Sequence, residues 1–370
     1  MQPNFTFDKR QKGFKQNPPQ TKGFGFIEFS APTDNACTYI QSIMHRLGFK
    51  CIAQHKRSEI FLYKQGQIHF LINCETKGNH VSNHAGNFAR EHGSCISAIG
   101  FWVKNTKEAY HHIVTKGAIS YKYQTPYLIP AVVGIGGSLL YCIEGESLDA
   151  FFNNEFNYYP NTSVTPNEHG LRTIDHISYN VHYGKIDYWS GFYQKLFNFR
   201  QIQCLNTAGQ THISNRALIS PCGNICVSIN QSNDQKSQIA EYLNAHKGEG
   251  VQHVALSTAD IMQSTESLAK ASIPFVDIPS SYYQTIADEL PESGYNLFNL
   301  SKYKILIDGE TKNNEQKILL QTVTKNLIGH TCFEIIERQG SNGFGTKNFM
   351  TLLNTGKVTF SNTETSPLNG

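Results

Sequence analysis

The sequence predicts an α+β protein of two tandem domains, in which paired βαβββ modules form open barrels of curved sheet. Three observations support this fold class. The order strand, helix and three short strands occurs in both halves of the 370 residues. Local sequence is repeated as well, since HRLGFKCIAQ resembles QKLFNFRQIQ and GQIHFLIN resembles GNICVSIN. Each half also contains a second strand–turn–helix module, which begins at Ile96 in one half and at Val251 in the other.

Hydrophobic periodicity assigns the first module of each half. In the first half it predicts a strand at residues 25–29, a helix at 35–47 and strands at 48–53, 58–63 and 67–73. In the second half it predicts a strand at 174–177, a helix at 186–196 and strands at 199–205, 214–218 and 224–230. One module has too few strands to close a curved sheet, so we expect paired modules to curl around a cavity.

The repeat also divides the chain into domains. We expect a disordered leader at residues 1–22, an N-terminal domain at 23–160, a C-terminal domain at 170–355 and a flexible tail at 356–370. The leader is basic but has no apolar segment, which is unlike a secretory signal. The tail contains Gly356 followed by many Thr and Ser residues, a composition that disfavours a helix.

Composition excludes several classes of protein. With 39% hydrophobic residues the chain can bury a sizeable core. Its net charge of +3 is too small to indicate a nucleic-acid partner, and no run approaches the roughly 18 apolar residues of a membrane span. Nine scattered cysteines, an odd number, indicate reduced thiols in a cytoplasmic protein. Cys222 and Cys226 lack the second pair that a zinc site requires.

Differences between the two halves single out three residues. His176 and His253 lie on short apolar strands, and Glu334 lies within CFEII, where a charge is costly unless it is paired or bound to metal. The first half has Glu28 near the counterpart of His176, Ala98 at that of His253, and no carboxylate at the place in LLYCIEG that matches Glu334. A histidine on an apolar strand is more often a hydrogen-bonded core residue. Two imidazoles with one carboxylate, however, form the facial triad of non-haem Fe(II) oxygenases.

At these residues the chain resembles a known family. It is similar to the 4-hydroxyphenylpyruvate dioxygenases of the vicinal-oxygen-chelate superfamily, including the bacterial branch named legiolysin or haemolysin. The similarity runs from about Gly23 to Phe349. It is densest in TIDHISYNV, RALISPCGNICVSIN, KSQIAEYLNAHKGEGVQHVAL and FEIIERQGSNGFGTKNF.

The resemblance implies an activity. It implies that the C-terminal domain binds one Fe(II) through His176, His253 and Glu334, and that the N-terminal domain is a vestigial structural domain. The implied reaction converts 4-hydroxyphenylpyruvate, an aromatic 2-oxo acid, and O₂ to homogentisate and CO₂ in tyrosine catabolism. It further implies a cytoplasmic homodimer or homotetramer that needs neither nucleic acid nor membrane.

The resemblance also implies a set of substrate-binding positions. Amide side chains suit a polar network near the phenol and the carboxylate, because they donate and accept without adding charge beside the metal. Two aromatic residues would close over the substrate ring. The implied residues are Gln238, Gln252, Gln321, Asn230, Asn215, Val323, Phe344 and Phe349.

Several positions depart from the family pattern. Val323 stands where the family has a ring-stacking Phe, and Cys332 where it has Phe or another apolar residue. Ser228 replaces a proline and Asn215 replaces a serine. The family also continues beyond the position of Phe349 into a long charged helix that covers the active site, whereas this chain predicts a tail without a helix.

These departures leave two alternatives open. One is an oxygenase like 4-hydroxymandelate synthase, which shares the triad and the substrate but oxidises the benzylic carbon. The other is a degenerate homologue that binds metal or aromatic acids without turnover. Retention of all three candidate ligands favours an enzyme, because a site without function has no need of a buried Glu334.

Overall fold

The computed structural model describes residues 16–76, 83–145, 147–160, 168–206, 212–289, 295–312, 315–345 and 348. Phe349, the predicted tail and the first fifteen residues of the predicted leader lie outside the described residues. The predicted domain boundaries remain predictions. The first strand begins at Thr21, two residues before the predicted start of the N-terminal domain.

The N-terminal half follows the predicted order of elements. Helix α1 begins after Thr33, whose side chain accepts a hydrogen bond from the Ala36 amide, and buries residues at helical spacing such as Ile40 and Met44. The elements are β1 (Thr21–Ser30), α1 (Asp34–Arg46), β2 (Lys50–His55), β3 (Ile60–Gln65), β4 (Ile68–Asn73), α2 (His84–His92), β5 (Cys95–Val103), α3 (Thr106–Thr115), β6 (Ala131–Val133), β7 (Leu139–Glu144), α4 (Leu148–Glu155) and β8 (Phe156–Tyr158).

The C-terminal half repeats this order and inserts two further helices into its second module. Its elements are β9 (Thr173–Asn180), α5 (Ile186–Phe197), β10 (Arg200–Asn206), β11 (Ile213–Ile219), β12 (Cys226–Ser232), α6 (Gln238–His246), β13 (Gly250–Ser257), α7 (Ile261–Lys270), α8 (Ser280–Glu289), α9 (Leu297–Lys302), β14 (Leu306–Lys312), β15 (Glu315–Val323) and β16 (Cys332–Gln339).

Each half forms one eight-stranded mixed sheet. The strand orders are β6-β7-β5-β1-β4-β3-β2-β8 and β10-β11-β12-β9-β13-β16-β15-β14. In both sheets the first strands of the two modules are antiparallel neighbours at the centre, β1 with β5 and β9 with β13. The predicted fold class of two tandem domains of paired modules is therefore confirmed.

The second module of the N-terminal half is the least regular. The strand expected after α3 is reduced to a single bridge between Ser120 and Val132. Strand β8 instead pairs with β2, at the opposite edge of the sheet from β6. The repeated order of elements predicts strands after the helix of this module, but neither β8 nor the edge that it joins, because that choice depends on contacts distant in sequence.

Aromatic contacts join the two halves into a continuous core. The ring of Phe333 on β16 lies 6.1 Å from the rings of Phe29 and Phe70 in the N-terminal sheet. Phe101 on β5 contacts Phe197 and Phe199 at ring distances of 5.4 and 6.2 Å. Fully buried rings of this size bury the most apolar area per residue, so they fix the two sheets against each other.

One cysteine pair departs from the expected state. Cys37 on α1 and Cys74 after β4 are joined by a disulfide with Cα atoms 5.7 Å apart. The expectation that all nine thiols are reduced is therefore wrong for this pair. Sequence separation hid the pair, because the two positions are 37 residues apart in the chain and only the packing of α1 on β4 brings them together. Within the described part of the chain, no helix is long and apolar enough to cross a membrane.

Candidate metal centre

Three adjacent strands of the C-terminal sheet bring His176, His253 and Glu334 together. In this sheet β13 lies between β9 and β16. His176 and Glu334 both lie opposite Ala255 of β13, and His253 is offset by two residues on the same strand. Side chains two residues apart on a strand share a face, so the three functional groups converge on one face of the sheet.

The three groups form a nearly equilateral triangle. The two Nε2 atoms lie 3.2 Å apart, and Glu334 Oε2 lies 3.5 Å from that of His176 and 3.4 Å from that of His253. A point equidistant from the three corners lies about 2 Å from each, which is the distance of nitrogen and oxygen ligands in transition-metal sites. Size and donor type therefore fit one metal ion.

Hydrogen bonds on the far side of each imidazole assign its tautomer. His176 Nδ1 donates to Asp175 Oδ1 at 2.8 Å, and His253 Nδ1 donates to Gln252 Oε1 at 2.5 Å. In the neutral form of each ring the Nε2 atom then carries an unshared electron pair, and the two Nε2 atoms lie close to each other and to a carboxylate. Three acceptors in contact repel one another unless a cation lies between them, so this arrangement has the chemistry of a metal site.

Burial sets the electrostatics of the three groups. His176 and Glu334 are buried, with 4% and 6% exposure. Burial, and then the neighbouring His176, hold the pKa of His253 well below its ordinary value, so this imidazole stays neutral. Burial also raises the pKa of the Glu334 carboxyl to about 7. Both shifts have the direction that burial produces in groups which a metal ion could bind.

Asp175 and Arg338 form a buried ion pair behind His176, which the sequence analysis missed. Arg338 Nε donates to Asp175 Oδ2 at 2.7 Å and Nη2 donates to Oδ1 at 2.8 Å. Burial alone would raise the pKa of the Asp175 carboxyl, but Arg338 and His176 hold it below its ordinary value. The signal in the sequence is an Asp directly before a ligand His, together with an Arg four residues after the ligand Glu.

Two of the departures from the family pattern contact each other. Asn215 Nδ2 donates to Ser228 Oγ at 2.7 Å and to Asn230 Oδ1 at 2.6 Å. Asn230 Nδ2 in turn donates to Ser178 Oγ at 2.9 Å. Asn215 Oδ1 is buried and has no hydrogen-bond partner among the described residues, so it remains an available acceptor. The resemblance implied Asn215 and Asn230; the structure connects them in one network.

The other two departures flank the ligands. Cys332 lies opposite His253 in the β13–β16 pairing, and its Sγ accepts a hydrogen bond from Gln252 Nε2 at 3.3 Å. Gln252 therefore bridges a ligand imidazole and a thiol. Val323 lies directly opposite Glu334 in the β15–β16 ladder, so the two side chains are on the same face of the sheet.

A loop after β16 approaches the triad from one side. The Phe344 ring lies edge-on to the His176 ring at 5.2 Å. Gly345 has φ +61°, and a Cβ there would lie 1.9 Å from Gln321 Oε1, so only glycine allows the loop to reach Gln321. Beyond it, Asn348 Nδ2 donates to that same oxygen at 3.3 Å. Tyr282 on α8 holds Asn348 through its hydroxyl at 2.7 Å.

Gln238 is placed differently from the other implied substrate residues. It is the first residue of α6, is half-buried, and lies on a helix beside β12 rather than on a strand with the triad. The proposed ring contact of Phe349 falls outside the described residues. Of the implied set, the structure therefore brings Gln252, Phe344 and Val323 next to the three candidate ligands.

The N-terminal sheet shows what stands at the equivalent positions. Matching the pairing of β1, β5 and β7 to that of β9, β13 and β16 places Phe26, Ala98 and Tyr141 where the other half has the triad. A phenyl ring, a methyl group and a phenol cannot replace two imidazoles and a carboxylate as metal ligands. Tyr141 occupies the position in LLYCIEG at which the sequence predicts no counterpart of the Glu334 carboxylate.

Glu28 does not stand at a position equivalent to a candidate ligand, and its carboxylate is held by hydrogen bonds within the N-terminal domain. Its carboxylate accepts hydrogen bonds from Asn73 Nδ2 at 3.0 Å, from Ser97 Oγ at 3.4 Å and from the Tyr127 hydroxyl. Burial raises its pKa. It lines a cavity of about 340 Å³ in the N-terminal domain, together with Tyr141.

Comparisons with known proteins agree with this arrangement. Residues 15–157 match the family described as Hydroxyphenylpyruvate dioxygenase, HPPD, N-terminal, and residues 173–287 match the Glyoxalase/Bleomycin resistance protein/Dioxygenase superfamily. The chain is 40% identical over 340 residues to a 4-hydroxyphenylpyruvate dioxygenase of Legionella pneumophila (strain Corby), which covers 91% of this chain and 94% of the relative. It is 36% identical over 342 residues to that of Pseudomonas aeruginosa, again 91% and 94%.

A solved structure shares the fold. A triple mutant of 4-hydroxymandelate synthase from Streptomyces coelicolor has a TM-score of 0.75 at 20% sequence identity. The match covers 90% of this chain and 97% of that chain. Similarity at this level of identity supports the two-domain architecture and makes no distinction between reactions.

Proposed function

The chain belongs to the 4-hydroxyphenylpyruvate dioxygenase family, and on this premise we propose that it converts 4-hydroxyphenylpyruvate and O₂ to homogentisate and CO₂ with Fe(II) held by His176, His253 and Glu334. The observation that carries the proposal is the triangle of two imidazole Nε2 atoms and one carboxylate oxygen, with sides of 3.2 to 3.5 Å.

The ligand set suits Fe(II), and the family resemblance favours Fe(II) over the catalytic zinc that two histidines and a glutamate also bind. Two histidines and one carboxylate on one face form the facial triad of non-haem iron oxygenases, which leaves coordination positions free for substrate and O₂. Structural zinc sites are closed by four protein ligands, often cysteines, and this group has three ligands and no thiolate. Bound Fe(II) supplies the Lewis acid and the electrons that O₂ chemistry requires.

The protein residues bind and orient the substrate. The Phe344 ring, edge-on to His176, offers an apolar wall for the aromatic ring of the substrate. Asn215 Oδ1, a buried acceptor without a described partner, would accept a hydrogen bond from the substrate's phenol hydroxyl. Gln252 and Gln321 would complete the polar lining without placing another charge beside the metal.

Water exclusion depends on how the loop and α8 close the site. Gln321, Asn348 and Tyr282 form a chain of hydrogen bonds that joins Asn348 to β15 and to α8. A closed, apolar site protects reactive species from water and strengthens the electrostatic interactions inside it.

The test is O₂ consumption by protein loaded with Fe(II) and given 4-hydroxyphenylpyruvate. We expect stoichiometric O₂ uptake and homogentisate, identified by mass and NMR. Glu334→Ala should lose most of the bound iron and all O₂ uptake while remaining folded, and Glu91→Ala, an exposed helix residue, is the matched control. Full activity of Glu334→Ala would refute the ligand assignment.

A second reaction is distinguished by the product. Val323, opposite Glu334, leaves the site without the aromatic wall that the family pattern has there, and this favours a looser hold on the substrate ring. If the substrate ring is bound in a different orientation, oxidation at the benzylic carbon gives 4-hydroxymandelate. Detection of 4-hydroxymandelate in place of homogentisate would assign the chain to the synthase reaction.

We also propose a cytoplasmic homodimer or homotetramer. The basis is the family resemblance. Light scattering coupled to size-exclusion chromatography measures the oligomeric state, and a monomer would contradict it. Cell fractionation with an antibody to the chain tests the location.

A further inference from the structure

We propose that Arg338 is a positioning residue that couples the metal ligand His176 to the loop at residues 341–345. The inference rests on the proposed metal site. One guanidinium contacts both the carboxylate that orients the imidazole and the backbone of the loop that places Phe344 beside it. Metal binding and ordering of this loop would then be linked through a single side chain.

The first half of the link is the forked ion pair. Arg338 donates through Nε and Nη2 to the two oxygens of Asp175 at 2.7 and 2.8 Å, and Asp175 Oδ1 accepts from His176 Nδ1. The side chains of Asp175 and Arg338 are 0% and 11% exposed. A planar fork fixes the orientation of a carboxylate in two directions, so Asp175 in turn fixes the rotation of the imidazole.

The second half of the link uses the third nitrogen. Arg338 Nη1 donates to the carbonyl oxygen of Gly343 at 2.6 Å and to that of Ser341 at 3.3 Å. The guanidinium carbon lies 5.7 Å from the centre of the Phe344 ring. Arg338 therefore contacts the loop in two ways, through the loop's backbone carbonyls and through the Phe344 side chain.

These contacts form a closed ring that includes the ligand His176. The Phe344 ring contacts the His176 ring at 5.2 Å, so Arg338, Asp175, His176 and Phe344 each contact the next. Displacing any one of the four changes the surroundings of the imidazole. Because linkage between two sites is reciprocal, a metal ion that fixes His176 must also favour the ordered loop.

Lysine cannot replace arginine in this role. A single ammonium group could keep the charge opposite Asp175 but could not form a fork with it and reach the Gly343 carbonyl at the same time. Arg338→Lys is therefore the informative variant, because it keeps the buried charge paired and removes the geometry. Its matched control is Arg216→Lys on β11, where one nitrogen lies 3.3 Å from the exposed Asp187.

The experiment uses Co(II) as the probe metal and measures two quantities without turnover. Co(II) affinity is obtained by calorimetric titration, and hydrogen exchange of residues 341–345 is followed by mass spectrometry with and without Co(II). In the wild-type protein we expect Co(II) to slow exchange in this loop. In Arg338→Lys we expect Co(II) to bind about 10- to 100-fold more weakly. Even at Co(II) concentrations that saturate the site, hydrogen exchange in the loop of this variant should not become slower.

A second variant keeps the proposal testable if Arg338→Lys does not fold. Asp175→Asn preserves the size of the side chain and removes the charge that holds the fork. We expect faster exchange in the 341–345 loop of this variant, because the effect must pass through Arg338. Wild-type Co(II) affinity with unchanged slowing of the loop in Arg338→Lys would overturn the proposal, as would an unaffected loop in Asp175→Asn.

These outcomes are separable from failure of the proposed function. A wild-type protein that binds Co(II) with the expected slowing of the loop, yet consumes no O₂ with Fe(II) and 4-hydroxyphenylpyruvate, would refute the reaction and leave the coupling standing. A protein with full dioxygenase activity whose loop is indifferent to Co(II) would refute the coupling alone.

Discussion

Replacing Glu334 by glutamine should stabilise the metal-free protein at alkaline pH. This carboxyl is buried beside two imidazole lone pairs, and burial raises its pKa from the ordinary 4.5 to about 7. Its ionised form is therefore disfavoured in the folded chain. The stability that the neutral carboxyl contributes is fully present below pH 4.5 and is lost as the pH rises through 7.

The magnitude follows from the two pKa values. Each tenfold shift in the ionisation equilibrium corresponds to about 1.4 kcal/mol, so a change from 4.5 to about 7 amounts to a penalty of about 3 kcal/mol above pH 8. At pH 5.5 the penalty is only about 1 kcal/mol. Glutamine has nearly the same shape and cannot ionise, so Glu334→Gln should escape this cost.

The assay is urea unfolding in the presence of a chelator at pH 5.5 and 8.5. We expect the free energy of unfolding of Glu334→Gln to exceed that of the wild type by about 3 kcal/mol at pH 8.5 and by about 1 kcal/mol at pH 5.5. Glu91→Gln, on the exposed side of α2, should show no such dependence. Saturating metal should reverse the order, because it pairs the carboxylate in the wild type only. A variant that is no more stable than the wild type at pH 8.5 would refute the reasoning.

Three further substitutions test other parts of the structure. Val323→Phe restores an aromatic wall opposite Glu334 and should lower the KM for 4-hydroxyphenylpyruvate about two- to tenfold; a higher KM would show that the wall is not at this position. Gly345→Ala, whose Cβ would overlap Gln321 Oε1, should lower kcat/KM at least about tenfold, while Gly343→Ala, in an open position, should not. Tyr127→Phe removes a donor from the buried carboxylate of Glu28 and should cost about 1–3 kcal/mol in urea unfolding without affecting metal binding.

The repeat made much of the fold predictable from local sequence. Both first modules follow the predicted order of elements, because strand and helix periods are properties of contiguous residues. The insertion of α8 and α9 and the pairing of β8 with β2 were not predictable in the same way. The edge that β8 joins depends on which edge of the sheet remains free after the other strands have paired.

The candidate site was found by comparing the two halves with each other. His176, His253 and Glu334 stand out because the duplicated strands carry Phe26, Ala98 and other apolar or aromatic residues at the same register. The sequence alone identifies Ala98 as the counterpart of His253 but places the counterpart of His176 near Glu28, and the strand pairing shows that Phe26 is there. The distance of 3.2 Å between the two Nε2 atoms needs the tertiary structure, since 77 residues separate the two histidines in the chain.

The sequence by itself determined the duplicated fold class, the identity of the three candidate ligands and the residues that depart from the family pattern. The fold class follows from local periodicity, the ligands from the difference between two copies of one module, and the departures from the resemblance to the family. Only the tertiary structure decided which groups support the ligands. Asp175 and Arg338 lie 163 residues apart and meet behind His176, and Asn215 and Ser228 prove to be partners. A hydrogen bond depends on the distance between two atoms, and for residues far apart in the chain that distance is set by how strands from different modules pair in one sheet.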